Sequence, residues 1–543
     1  MRLLHAAALA ALLVAGGAAA APPAKPHKAM AYRVEEKSIA QLQADLSAGK
    51  VTSEQLVRAY LARIASLDRS GPTLQSVIAT NPDAIAQARA LDAERRAGHV
   101  RGPMHGIPVL IKDNIESADR MATTAGSLAL KDNVTGRDAP IVARLRAAGA
   151  IILGKTNLSE WANIRSNRSI SGWSAVGGQA RNPYALDRNP CGSSAGSGVA
   201  AAASLAAATV GTETDGSIVC PSTTNGDVGL KPTVGLLSRT HIVPISHTQD
   251  TPGPIVRSVA DAAAMLTAMA GSDPADPATA DADKHRTDYL KALDAGALKG
   301  KRLGVYRFCE GAHPESDALF EQALAQLKAA GAELVDIKEI KGQGDIGQAE
   351  GVVLTHELKA DMAAYLASTD PAKVKSRTLA DLIAFDRAHA HEEMPLFGQE
   401  FFEDAEKTKG LDAPEYKKAL ETGRRMAGPE GIDRLMAENK VDALVAPTGS
   451  PAFFTDPVRA GGYRGCGPSR LPAVSGYPHL TVPMGYIDGL PVGLSFIAEA
   501  WSEPKLLGLG YAYEQRTHLR HAPTYVRSVL DMPGIAQAQK PQR

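Results

Sequence analysis

The sequence predicts an α/β fold, a single large domain in which helices cover both faces of a central sheet. Three observations carry this. From about residue 102, short apolar runs alternate with Ala-rich helical stretches, the texture of strand–helix repeats. The 543 residues are 44% hydrophobic, enough for a large buried core. No internal repeat and no clean linker divides the chain, so the repeats belong to one interleaved body.

The elements follow in order. Residues 1–20 read as an export signal: Arg2, an apolar run from Leu3 to about Gly17, then small residues suited to cleavage near Ala20. The run is short for a bilayer span. Residues 21–37 are Pro-, Ala- and Lys-rich and read as a flexible leader, and the main domain covers 38–520. Helices begin at Ser38 and after Thr52, where Thr52 and Gln55 fit a capping box. Strands are expected at 105–113, 150–154 and 228–233, with helices at 140–149, 197–211 and 259–271. A further strand–helix–strand unit fills 300–340. Residues 345–440 are charged and mainly helical, a cap or insertion. Strands return at 442–447, 480–486 and 492–497, a helix follows at 503–517, and 521–543 form a tail.

Charge narrows the partners. With 59 basic and 59 acidic residues the formal net charge is zero, which offers no basic excess for nucleic acid. No second long apolar run is present, so no stable membrane insertion is expected. Four cysteines, Cys191, Cys220, Cys309 and Cys466, allow up to two bridges in an oxidising compartment, with buried free thiols as the alternative.

Several motif matches fail on physical grounds. "GAIILGKT" (149–156) fits a phosphate-loop pattern, but its middle is an apolar strand preceded by a helix, the wrong order for wrapping phosphate. "HAHEEM" (389–394) lacks zinc-ligand spacing, since histidines two apart on a helix diverge, and reads as a solvated helix surface. No metal or cofactor is expected.

The chemistry gathers at two serine loops. In "VGTETDGSIVCP" (210–221), Ser217 follows Gly216, with Glu213 and Asp215 upstream and no histidine nearby. The string around it is not G-x-S-x-G. His241 and His247 are the nearest downstream histidines, and nothing selects between them and the rest of the fourteen. "NPCGSSAGSGVAAAA" (189–203) supplies a second Gly/Ser loop, with Ser193 in it. Lys112 ends the strand "GIPVLIK"; burial there lowers a lysine pKa and leaves a neutral amine that can act as a base.

"HGIPVLIKDNI", "GKTNLSEWA", "PCGSSAGSGVAAA", "GTETDGSI", "GLKPTVGL" and "GLPVGLSFI" occur in this order and together resemble the amidase signature family. The resemblance spans about residues 38–520 and implies a central mixed sheet flanked by helices. It also implies a Ser–cisSer–Lys triad: Ser217 as nucleophile, Ser193 in a cis peptide as bridge, Lys112 as base. Backbone N–H groups of Thr214, Asp215, Gly216 and Ser217 would form the oxyanion hole. Upstream of the serine loops, Asn167 and Ser169 have two readings, lining of the acyl pocket or backbone support for those loops.

The departures are informative. Glu213 replaces the usual aspartate and Asp215 a glycine, so Asp215 must turn its carboxylate from the oxyanion. With "GWSAVGGQARNPY" (172–184), this form is similar to bacterial peptide amidases. The implied activity is hydrolysis of C-terminal amides of peptides, with a peptide or other small carboxamide as substrate. Aryl, aliphatic or fatty acyl amides, or esters, are the alternative, and a role like that of the A-type chain of an amidotransferase is a further one. Cys191 and Cys220 flank both serine loops; a bridge would brace them, and two packed thiols are the other reading.

Overall fold

A computed structural model of the chain describes residues 32–307, 311, 313–337, 342–458 and 467–539. The export signal, Cys309 and Cys466 lie outside these residues. An eleven-stranded mixed sheet runs through the described body. In spatial order its first strands are Val77–Thr80, Ile151–Thr156, Pro108–Lys112 and Ala208–Glu213. Thr251–Val256, Val228–Lys231, His479–Ile487 and Leu490–Ile497 continue it, and Ala443–Pro447, Arg302–Tyr306 and Glu333–Ile337 close it.

Ile151–Thr156, Pro108–Lys112 and Ala208–Glu213 are mutually parallel. Every residue in them is buried, which is why Pro108–Lys112 and the start of Ile151–Thr156 read as continuous apolar runs rather than alternating ones. The parallel order brings the ends of Pro108–Lys112 and Ala208–Glu213 out at one edge, where Lys112 and Thr212 sit.

The first two helices, Ile39–Ser47 and Ser53–Arg63, carry full capping boxes from Ser38/Gln41 and Thr52/Gln55. The helix expected over 197–211 is shorter. It runs Ala195–Ala202, and Ala208–Glu213 is a strand. Alanine favours helix, but a fully buried run paired with Pro108–Lys112 on one side and Thr251–Val256 on the other gains more from the sheet ladder. The lysine of the phosphate-loop lookalike, Lys155, is wholly buried and donates to Thr123 Oγ1 at 2.7 Å and to the Ile115 carbonyl.

Two peripheral expectations are corrected. Part of the leader is packed: Val34 is buried, and Tyr32 donates to Asp45 at 2.6 Å. The tail is docked at its start: Tyr525 N donates to Pro183 O at 3.0 Å and Ser528 Oγ to Asp187 at 2.7 Å.

Residues 343–439 are mainly helical, led by Gln343–Ala367, as expected for the stretch read as a cap or insertion. Leu358, Met362 and Leu366 of that helix pack with Leu130, Trp161 and Phe402. Each such buried side chain contributes about 1.5–3 kcal/mol. Glu393, read with its neighbours as solvated, is buried: it accepts from Leu128 N at 2.7 Å. Arg165 stands between it and Glu160, 2.7 Å from the latter, so the charge supplies what the apolar period did not show. His389 and His391 are exposed as expected.

Candidate active site

Lys112 ends its strand with no surface exposed. Its Nζ lies 2.7 Å from Ser193 Oγ, 2.8 Å from Thr212 Oγ1 and 3.3 Å from Thr212 O. Removal from water lowers its pKa to about 7, against the opposing pull of Asp250 and Glu213. The Gly192–Ser193 peptide is cis. Gly192 has no alternative here, because a Cβ would sit 2.3 Å from Ser159 Oγ.

The two serine loops are joined three ways. Ser194 N donates to Ser217 O at 3.2 Å. Ser194 Oγ contacts Thr212 O at 2.9 Å and Thr212 N at 3.1 Å. A disulfide links Cys191 to Cys220, with Cα atoms 5.8 Å apart. Of the two readings for this pair, the bridge is the one present.

Ser217 follows Gly216, whose φ of +80° turns the chain into the short helix Val219–Asn225. Glu213 Oε2 accepts from the N–H groups of Ile218 at 2.7 Å and Val219 at 3.0 Å. The longer acid thus caps the turn that carries the serine. Just before it, the N–H groups of Thr214, Asp215, Gly216 and Ser217 find no acceptor among the described residues. Backbone N–H groups in folded proteins are nearly always paired, and four consecutive donors without a protein acceptor are of the kind that can receive an anion.

The Asp215 carboxylate is partly buried, with Oδ1 unpartnered. It lies near Glu350, which is held above the ordinary carboxylate range by burial first and then by the Asp215 charge. Thr214 Oγ1 donates to Asp250 at 2.6 Å. Burial pushes Asp250 up to about 6.

A cavity of about 650 Å³ opens beside this edge. Asn114, Thr212, Thr214, Asp250 and Thr251 are among its polar lining, and Ile242, Val243, Ile245, Ala364 and Leu420 among its apolar lining. Its size suits a small organic ligand. Ser193 and Ser217 are not among the lining residues.

Asn167 and Ser169 do not line it either. Asn167 is exposed, and Ser169 Oγ donates to Ser166 O at 2.9 Å, which makes it backbone support. Neither His241 nor His247 serves the serine. His241 lies 3.9 Å from Glu116, and His247 pairs with Asp361 at 2.9 Å. Sequence reading missed Asp250, Asn114 and the 245–250 loop, whose partners lie far away in the chain.

An amidase family profile matches residues 55–507. The chain belongs to the amidase family. A peptide amidase from Stenotrophomonas maltophilia, solved as a native crystal structure, is 54% identical to this amidase with a TM-score of 0.86. That match covers 90% of this chain and 99% of the other. A probable amidase from Arabidopsis thaliana is 40% identical over 91% of this amidase and 93% of its own length. The A-type chain of the glutamyl-tRNA(Gln) amidotransferase of a Synechococcus species is 35% identical, covering 90% and 95%. The mixed sheet and the amide-hydrolase assignment agree with what the motif order implied.

Proposed function

We propose that this amidase hydrolyses C-terminal amides of peptides through Ser217, Ser193 and Lys112, releasing ammonia. The observation that carries the reading is the buried Lys112 amine in contact with Ser193 Oγ, beside a serine preceded by free backbone donors. Ser217 Oγ attacks the amide carbon and its proton passes by way of Ser193 to Lys112. The oxyanion is received by the N–H groups of 214–217, each such donor being worth roughly 3–4 kcal/mol. The proton returns to the leaving amine, and water then cleaves the acyl-enzyme.

The peptide substrate is supported by the 54% identity to peptide amidase and by a structure of a peptide amidase bound to the competitive inhibitor chymostatin, at the same identity. Export rests on residues 1–20. No described helix is long and apolar enough to cross a membrane. The amidotransferase reading draws on the 35% identical A-type chains but conflicts with an export signal.

Ammonia release measured across peptide amides, free glutamine, benzamide and a fatty acid amide tests this. Peptide amides are expected to give the highest kcat/KM, and Ser217→Ala to abolish turnover. Turnover of the other amides without any peptide amide overturns the substrate, and glutamine alone favours the amidotransferase reading.

A further inference from the structure

The loop of residues 245–250 is bonded outward to the cap and inward to the oxyanion segment. On the cap helix Gln343–Ala367, Glu350, Glu357 and Asp361 are spaced by seven and four residues, which puts them on one face. Each takes hold of the loop. Glu350 accepts from Gln249 Nε2 at 3.0 Å. Glu357 accepts from Thr248 N at 3.2 Å, from Thr248 Oγ1 at 3.0 Å and from Ser246 Oγ. Asp361 accepts from His247 N at 2.8 Å and pairs with its ring.

Inward, Asp250 Oδ2 closes the loop by accepting from Ile245 N at 2.8 Å and Ser246 N at 2.9 Å. Its other oxygen takes the Thr214 hydroxyl at 2.6 Å. Gln249 Nε2 also reaches Thr214 O at 3.4 Å. Thr214 is therefore held by its hydroxyl and its carbonyl while its N–H stays free.

We propose that Asp250 and Gln249 are positioning residues of the hydrolysis, which clamp Thr214 so that the free N–H groups of 214–217 stay aimed at the reacting carbonyl. This rests on the assignment of those groups as oxyanion donors. A segment with Gly216 at its tip has little intrinsic stiffness, and donors act only when aimed in advance. The clamp supplies the stiffness from a rigid helix face. The same loop contributes Ile245, Ser246, His247, Thr248 and Asp250 to the wall of the cavity that Thr214 also lines.

Thr214→Val removes the hydroxyl and keeps shape and backbone N–H; Thr214→Ser keeps the hydroxyl. Steady-state kinetics on a peptide amide, with inhibition by a peptide aldehyde that forms an oxyanion on Ser217, reads the effect. Thr214→Val is expected to lower kcat about ten- to a hundredfold with KM within about twofold, the cost of a small misplacement at a reacting centre. The aldehyde should weaken by the same factor, and Thr214→Ser should restore both. Gln249→Met, which keeps the side-chain volume, should show a smaller loss of the same kind. Wild-type kcat in Thr214→Val, an effect confined to KM, or a Thr214→Ser variant as impaired as Thr214→Val overturns the proposal. Turnover that survives Ser217→Ala overturns the underlying assignment instead.

Discussion

Thr212 takes two contacts from one amine: Lys112 Nζ lies 2.8 Å from its hydroxyl and 3.3 Å from its carbonyl. A neutral lysine has two N–H bonds and one lone pair. Nζ also lies 2.7 Å from Ser193 Oγ, and the relay proposed above requires the amine to be neutral there, with its lone pair turned to the Ser193 hydroxyl and its N–H bonds on Thr212. A protonated lysine would have to donate there, and the relay would be blocked. Asn114 Nδ2 braces the same Thr212 hydroxyl at 3.0 Å.

The first prediction concerns pH. Lys112 is held near 7, so kcat/KM should rise as pH passes upward through about 7 and then level. The Asp250 charge favours the ammonium form. Asp250→Asn should therefore shift this limb to lower pH, whatever it does to the plateau. Lys112→Ala should cost about a hundred- to ten-thousandfold. A limb that stays in place in Asp250→Asn, or full activity in Lys112→Ala, would contradict the arrangement.

The second concerns the disulfide. Cys191 and Cys220 are 29 residues apart, and closing such a loop stabilises a fold by about 3–4 kcal/mol in the chain-entropy account. Peptide mapping of unreduced protein should recover the two cysteines as one cross-linked species. Cys191→Ala with Cys220→Ala should lower Tm, measured by calorimetry, and lower kcat by loosening the two serine loops. Equal Tm with and without reductant would show that the bridge adds nothing.

The third concerns Glu213. Replacing it by alanine strands the N–H groups of Ile218 and Val219, at about 1–3 kcal/mol each. Glu213→Gln keeps an acceptor in place and should recover most of that loss in urea melts. The kcat should fall alongside, since Ser217 adjoins the capped turn. A Glu213→Ala variant as stable as the parent would sink this role.

What the sequence disclosed and what it hid divide along physical lines. Lys112 was readable because four apolar residues before it force burial. Ser193 and Ser217 were singled out through the motif resemblance, since neither local string by itself names a catalytic serine. The pairing of Cys191 with Cys220 was not readable, since it depends on distance through space. For Asn167 and Ser169 the sequence left two readings open, because loop residues near a motif carry no sign of which way they face. Asp250 and Gln249 stayed hidden for a similar reason: their partners Thr214 and Glu350 lie 36 and 101 residues away. The Ala-rich stretch 197–211 misled because composition favours helix where burial favours strand.

Lys112 is separated along the chain from Ser193 by 81 residues and from Thr212 by 100. No short fragment contains both ends of either contact, and Ser193 arrives on a loop while Thr212 arrives on a separate strand. Secondary structure and partial collapse can therefore return during refolding without any recovery of turnover. Regained hydrolysis would report that the non-local strand order is complete, which makes the reaction itself a stringent assay of folding.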